Sequence, residues 1–326
     1  MPRKMKNMDL SVIVLSCNTK DITKKCLSCI VRSEDRLKKE VIVIDNASGD
    51  GSVDMIKKNF PKFKLIVNKK NNGFAGGNIQ GVKIAKGRYI LLLNSDAFIS
   101  QDSLEKSVKF MDNNPKCGII GARLIDKYGK PQHAARNFPT PWKLFVQSAG
   151  LSKKPFYLKG IDDERFKYNC PKECDWVPGC YYLMRKDMID QIRFFDPIFY
   201  LYCEEIDLCL RAKRAGWKIF FYPEAEVIHL GGQSSMIFSK VTAVGKQIEN
   251  LKIQSELIYF RKNHGILVIF EYLFLDFFLN VILALKYILN GKLNNCVSSF
   301  NHIMTVCKVL FLTRFGKFNR MEVDCV

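Results

Sequence analysis

Short runs of consecutive apolar residues alternate with amphipathic stretches through the first 125 positions. Leu10–Ser16, Val41–Asp45, Lys64–Val67, Tyr89–Asn94 and Cys117–Leu124 are compact and rich in Val, Ile and Leu, which reads as strands buried on both faces. Between them, about Ile22–Val31, Ser52–Phe60, Gly76–Lys86 and Ser103–Met111 carry helical spacing. Such alternation predicts an α/β fold, a mostly parallel sheet with helices on both faces.

Residues 126–173 break the pattern. Pro131, Pro139, Pro141, Pro155 and Pro171 sit among basic and aromatic residues without a period, which reads as a long connection or insertion. Regular signals resume as strands at Asp175–Val177 and Tyr181–Arg185, then a helix near Glu204–Ala215. Strands at Lys218–Tyr222 and Glu226–Leu230 follow.

The last segment changes character again. Ile266–Leu289 is apolar apart from Glu271, Asp276, Asn280 and Lys286. At ~100° per residue these four fall within about half of a helical circumference. A carboxylate at the centre of a spanning helix costs about 2.5–3.5 kcal/mol, so two of them argue against crossing a bilayer. An amphipathic helix lying in the membrane surface fits better, with Arg261, Lys262, Arg314, Lys317 and Arg320 available to anionic headgroups. A buried helical hairpin of a soluble protein is the alternative.

Composition narrows the class. The chain has 326 residues, 48% of them apolar and 25% charged, which excludes disordered and low-complexity proteins. Its formal charge of +19 favours anions such as phosphate esters, anionic lipid or nucleic acid. No basic cluster with interleaved aromatics or zinc-finger spacing supports a nucleic-acid reader, so no nucleic-acid partner is expected. Cys26 and Cys29 stand at redox spacing in an amphipathic segment, where an incidental role is the simpler reading. Val12–Leu15 is too short for a signal-peptide core, so a reducing, cytoplasmic setting is expected.

Ligands of an open α/β sheet meet the carboxyl ends of its strands. After the first strand come Ser16, Cys17 and Asn18; after the second, the run from Asp45 and Asn46 to Gly51. After the third comes Asn71-Asn72-Gly73-Phe74-Ala75-Gly76-Gly77-Asn78, and after the fourth Asn94-Ser95-Asp96. Converging small, polar and acidic groups suit a hydroxyl-rich ligand. Singly, Asp45 and Asn46 also fit an Asx turn, and the glycines fit turn dihedrals. Neither Gly-x-Gly-x-x-Gly nor a Walker loop is present.

These residues carry a resemblance. Val-Ile-Asp-Asn-Ala-Ser-Gly-Asp-Gly-Ser, Asn-Gly-Phe-Ala-Gly-Gly-Asn and Leu-Leu-Leu-Asn-Ser-Asp resemble the donor half of a family 2 inverting glycosyltransferase of the GT-A fold. Asp175-Trp176-Val177-Pro178-Gly179, the run Phe199–Arg211, Arg214-Ala215-Gly216-Trp217 and Val227–Ser234 continue it over about residues 10–262, closest to the rhamnosyltransferase-like branch. The resemblance implies a GT-A domain with a donor half at 1–125 and an acceptor and catalytic half at 126–251, and the amphipathic run adds a helical membrane-surface tail at 252–326. It implies a nucleoside-diphosphate sugar donor, bound by Ser16, Asn18, Asp45, Asn46, Asn72, Gly73, Gly77, Asn78, Asn94 and Asp96. The implied acceptor is a lipid-linked saccharide or polysaccharide precursor, met by Trp176, Gly179, Glu204 and Asp207, with Glu205 as general base.

Asp96 and His229 are the implied holders of a divalent cation, Mg²⁺ or Mn²⁺, beside the diphosphate. Three positions depart from the family pattern. Asn94-Ser95-Asp96 stands for Asp-x-Asp, Glu204-Glu205 for Glu-Asp, and Ser16-Cys17-Asn18 for Asn-Tyr-Asn. Plainer roles stay open: a structural His229, a core Trp176, and Glu204, Asp207 and Arg211 as helix-surface pairs. A sugar-nucleotide-binding protein without catalysis is the rival function, and a nucleic-acid-binding protein the distant third.

Overall fold

The computed structural model describes residues 8–153, 156, 158–162, 169–231 and 244–318; Pro155, Gly232, Gln233, Ser234 and Arg320, read above, lie outside them. Strands β1 (Met8–Ser16), β2 (Lys39–Asp45), β3 (Lys64–Val67) and β4 (Gly87–Asn94) lie in the order β3-β2-β1-β4, all parallel. Helices α1 (Lys20–Val31), α2 (Ser52–Asn59) and α3 (Gly73–Ile84) connect them. Alternate residues of β1 feed opposite faces. Val12 and Val14 join Cys26, Leu27, Ile30 and Met55, whereas Ile13 joins Ile42, Ile44 and Ala75. Both faces being covered is why the strand reads as an unbroken apolar run.

Beyond β4 the sheet becomes mixed. β8 (Tyr181–Arg185) runs antiparallel to both β4 and β6 (Cys117–Ile125), and β6 runs parallel to β9 (Lys218–His229). β5 (Ala97–Ile99) and β7 (Lys172–Glu173) pair antiparallel with β9. The two strands expected at Lys218–Tyr222 and Glu226–Leu230 are one, with Pro223 absorbed by a register jump. Ala122 faces Tyr222, and the next residue, Arg123, faces Glu226. The strand expected at Asp175–Val177 is only an isolated bridge between Arg136 and Trp176.

Helices α4 (Ser103–Asn113), α5 (Pro141–Ser148), α6 (Lys186–Ile192) and α7 (Glu204–Arg214) complete the domain. α5 sits inside the stretch read as irregular. The Thr140 hydroxyl accepts from the Lys143 amide, and Pro141 takes the first helical position, where its missing N–H is no loss.

The tail is three helices: α8 (Val244–His264), α9 (Ile266–Leu289) and α10 (Leu293–Leu312). Leu257, Ile258, Tyr259 and Phe260 of α8 are buried in the core face that also holds Leu208 and Cys209 of α7. α9 corrects the expected polarity. Asn280 is buried and Asp276 turns inward, its Oδ1 3.2 Å from His302 Nε2, while His302 Nδ1 lies 2.6 Å from Glu249. Leu267, Phe270, Phe274, Phe277, Leu285 and Ile288 face outward instead. By length and composition α9 could cross a membrane, and only 22% of its most apolar window is buried. The paired polar groups take the inner side because His302 neutralises Asp276 there.

Candidate active site

The ends of β1, β2 and the loop before α3 are wired together. Ser48 N donates to Asp45 Oδ1 (2.9 Å), Asn18 N to Ser48 Oγ (2.9 Å), and Gly49 N to Asn18 Oδ1 (2.8 Å). Asn18 and Ala47 are left-handed, at φ 51° and 63°, a strain these mutual bonds hold in place. Asp45 is fully buried and its Oδ2 has no partner among the described residues. A buried carboxylate oxygen in that state is an acceptor waiting for a donor.

Asn46 is a clamp. Its Nδ2 donates to Asn71 Oδ1 (2.9 Å) and Gly73 O (3.0 Å), and its Oδ1 accepts from Asn68 Nδ2 (2.8 Å). Gly73 starts α3 at φ +72°, and a Cβ there would meet Tyr200 O at 2.3 Å. Tyr200 O accepts from Phe74 N (2.8 Å), tying the start of α3 to the loop before α7. Gly77 lies against β1, where a Cβ would come within 2.4 Å of Leu15. Asn72 stands at the N-cap position of α3, partly exposed and without a side-chain capping bond, and Asn78 Nδ2 donates to Phe74 O (2.9 Å) inside the helix.

At the end of β4, Asn94 N donates to Cys180 O (3.0 Å) and the chain turns straight into β5. Ala97 pairs with His229 in the β5–β9 register, which brings Asp96 Oδ1 to 3.6 Å from His229 Nε2. Gln132 decides the ring's tautomer. Its Nε2 donates to His229 O (2.9 Å), so its Oε1 is left to accept from His229 Nδ1–H (3.0 Å). The Nε2 lone pair therefore points toward Asp96. Burial lowers the His229 pKa and the Asp96 charge opposes it, so the ring is neutral at physiological pH. A carboxylate beside an oriented neutral imidazole is a fitting donor pair for a divalent cation. Among the described residues no group of three His, Cys, Asp or Glu side chains converges, so other ligands would come from diphosphate and water.

Glu204 and Glu205 open α7 after two left-handed residues, Tyr202 (φ 72°) and Cys203 (φ 67°). Glu204 is buried, its pKa pushed well above the carboxylate range by burial and then by Glu205. Burial raises the Glu205 pKa to about 7, against hydrogen bonding at the helix N-terminus and the Arg136 charge. Glu205 Oε2 is enclosed without a partner among the described residues. Two adjacent carboxyl groups are thus set apart, one kept protonated and one ionising near neutrality.

Three sequence assignments change. Asp207 is fully buried and engaged by Arg211 Nε (2.8 Å), Lys262 Nζ (2.9 Å) and Asn263 Nδ2 (3.0 Å), bracing α7 to α8 and leaving no oxygen for an acceptor. Trp176 is buried, donates to Asn137 O (2.9 Å), and carries the Arg136 guanidinium 4.8 Å above its ring, so no sugar plate is exposed. Ser16 turns inward to Thr23 Oγ1 (2.9 Å), within a hydroxyl chain through Thr19 to Ser95. Gly179 packs against Phe74, where a Cβ would lie 3.1 Å from the ring. Gln132, Arg136, Thr19 and Tyr200 were not foreseen.

A parallel half continued by a mixed half, with carboxylates and an imidazole at its strand ends, is the architecture of a GT-A glycosyltransferase. Residues 11–192 match the family described as glycosyl transferase family 2, and the chain belongs to that family. The rhamnosyltransferase WbbL of Escherichia coli K12 is 26% identical over 243 residues, 70% of this chain and 85% of that protein. An N-acetylglucosaminyl-diphospho-decaprenol L-rhamnosyltransferase of Mycobacterium tuberculosis is 24% identical over 207 residues, 58% of this chain. The match spans 66% of that relative's length. Among solved structures, Staphylococcus aureus TarS 1–349 superimposes with a TM-score of 0.51 at 16% identity, covering 90% of each chain. GalNAc-T7 gives 0.56 at 14% identity, over 78% of this chain and 48% of that one. At such identities the likeness carries the fold alone.

Proposed function

We propose that the chain moves a sugar, rhamnose foremost, from a nucleoside-diphosphate sugar to a hydroxyl of a lipid-linked saccharide or polysaccharide precursor, with inversion. The observation that carries this is the Asp96–His229 pair, set by the β5–β9 register in the same domain as the Asp45 oxygen that has no partner among the described residues. The names of the WbbL and decaprenol-linked relatives support the sugar and the acceptor class.

Asp45 Oδ2 accepts an N–H of the base, while Asn18 and Asn46 hold its loop in shape. Asp96 and His229 would hold a divalent cation, which offsets charge growing on the departing diphosphate. Two structural neighbours, GalNAc-T7 and a Pyrobaculum calidifontis mannosyltransferase, were solved with Mn²⁺, which supports that assignment. Glu205 takes the proton of the acceptor hydroxyl as its oxygen bonds to the anomeric carbon. The bond from that carbon to the diphosphate oxygen breaks, and its electron pair leaves with the nucleoside diphosphate. Glu204, held neutral beside it, hydrogen-bonds the acceptor rather than competing for the proton.

Residues 1–125 then serve as donor half and 126–251 as acceptor half, with the tail resting on the inner face of the cell membrane through the exposed apolar side of α9. The test is a screen of nucleotide sugars for metal-dependent release of nucleoside diphosphate with a lipid-linked saccharide. Turnover with one sugar nucleotide is expected. Tight donor binding without turnover would leave a sugar-nucleotide-binding protein instead.

A further inference from the structure

The tail carries a cavity of its own. About 540 Å³ opens between the end of α8, the start of α9 and the turn after α10. Arg261, Arg314 and Lys317 line it together with the rings of Phe270, Phe315 and Phe318, and no acidic residue does. Among the described residues none of the three cations has an acidic partner. Lys262, next to Arg261, contrasts with them, since Asp207 (2.9 Å) and Asp196 (2.7 Å) hold it.

The turn that presents Arg314 and Lys317 is built. Arg314, Phe315 and Gly316 are consecutively left-handed, at φ 48°, 58° and 75°, a conformation that side chains rarely adopt. It persists because Thr313 ties it down. The buried Thr313 hydroxyl accepts from Gly316 N (3.1 Å), and its carbonyl accepts from Lys317 N (2.9 Å) and Phe318 N (3.1 Å). Gly316 then presses onto α8, where a Cβ would meet Leu257 O at 2.4 Å and Arg261 Cβ at 3.1 Å. The docked turn fixes Arg314 and Lys317 beside Arg261.

We propose that this pocket binds the phosphate headgroup of an anionic phospholipid. Three uncompensated cations, two of them guanidinium forks, match a phosphate. The rim decides for a lipid over a free ion: Leu267 and Phe311 are 78% and 70% exposed beside it, positioned for the acyl boundary. The proposal rests on the membrane-surface reading and adds to it one discrete headgroup site in place of a diffuse basic face.

The experiment is co-sedimentation of the full chain with vesicles of phosphatidylcholine alone or mixed with phosphatidylglycerol. The variant R261Q/R314Q/K317Q is compared with the charge-matched K24Q/K57Q/K58Q, whose three lysines are exposed far along the chain on α1 and α2. A basic side chain at an anionic surface is worth about fivefold in partitioning, so the pocket variant should bind mixed vesicles about a hundredfold more weakly. The control should lose less than about threefold, since its lysines lie away from the surface. Should the triple variant melt early, R314Q and K317Q singly should each lose about fivefold. Equal losses in both triples, or none in the pocket variant, would overturn the site and leave membrane binding standing. Inorganic phosphate binding to the vesicle-free protein as tightly as mixed vesicles would also overturn it. A wild-type chain that ignores every vesicle would remove the membrane reading itself.

Discussion

In the strand-end loops and in the tail, polar groups turn inward under different constraints. Around Asp45 and Asn46 the partners are mostly backbone and amide groups, and one buried carboxylate oxygen is left open. On the tail helix α9 an inward charge closes on its neighbours, with His302 between Glu249 and Asp276, and many apolar side chains face out beside Glu271 and Lys286. The first arrangement stores strain and an unmet acceptor, as a binding site does. The second closes its inward charges around His302 on one another and leaves exposed apolar side chains to a different surrounding. An inward polar group therefore marks a site only when something in it remains unsatisfied.

That contrast can be broken most forcefully at Asp96. Asp96→Ala should lower metal-dependent donor affinity by more than about a hundredfold, beyond the usual cost of losing a group behind a metal ligand, with an unchanged melting temperature. Calorimetry with and without Mn²⁺ reads it, and equal affinities in the two proteins would remove Asp96 from the metal site. Gln132→Leu frees the His229 tautomer and should weaken Mn²⁺ binding by about 10–100-fold, visible in the electron paramagnetic resonance of the free ion, while metal-free donor binding holds. Gly73→Ala imposes both a left-handed alanine and a contact with Tyr200, and should destabilise by roughly 1–3 kcal/mol in urea unfolding. A neutral result would mean that the Tyr200 tie is loose.

The smallest effect belongs to the tail. His302 is raised from 6.5 to about 9, first by Asp276 and then, against burial, by Glu249. Its folded pKa lies above the unfolded one, so its stabilisation is complete below pH 6.5 and lost as pH climbs from there through about 9. Protection factors, from which the intrinsic pH dependence of amide exchange is removed, should fall in α10 across that window while those of β1 hold. Falls that ran equally through both regions would deny the tail its own ion-pair brace.

Much of the parallel half was legible because β1, β2 and β4 are buried on both faces and their pattern depends on nothing distant. The mixed half was harder to read. β5 has three residues, too few for a period, yet its register with β9 is what joins Asp96 to His229. Pro223 looked like a break because a register jump leaves no local mark. α5 did carry a signal, Thr140 before Pro141, hidden among the other prolines. Trp176 and Asp207 were misplaced because Arg136 and Lys262, which occupy them, are 40 and 55 positions away in sequence. Gln132 had no motif to announce it. In α9 the polar spacing was visible, but whether it faced water or a partner helix depended on His302.

The central claim, glycosyl transfer with Glu205 as base, is tested most directly by turnover of Glu205→Gln at saturating donor and acceptor, with donor affinity measured alongside. Removing a positioned base costs about 10²–10⁴-fold, and the glutamine keeps the size and most hydrogen bonds of the acid. The wild-type rate should climb with pH through about 7 as Glu205 ionises, and the variant should fall by that factor, lose the climb and bind donor normally. Turnover within about threefold of wild type, with the pH dependence intact, would contradict the assignment and pass the proton to Glu204.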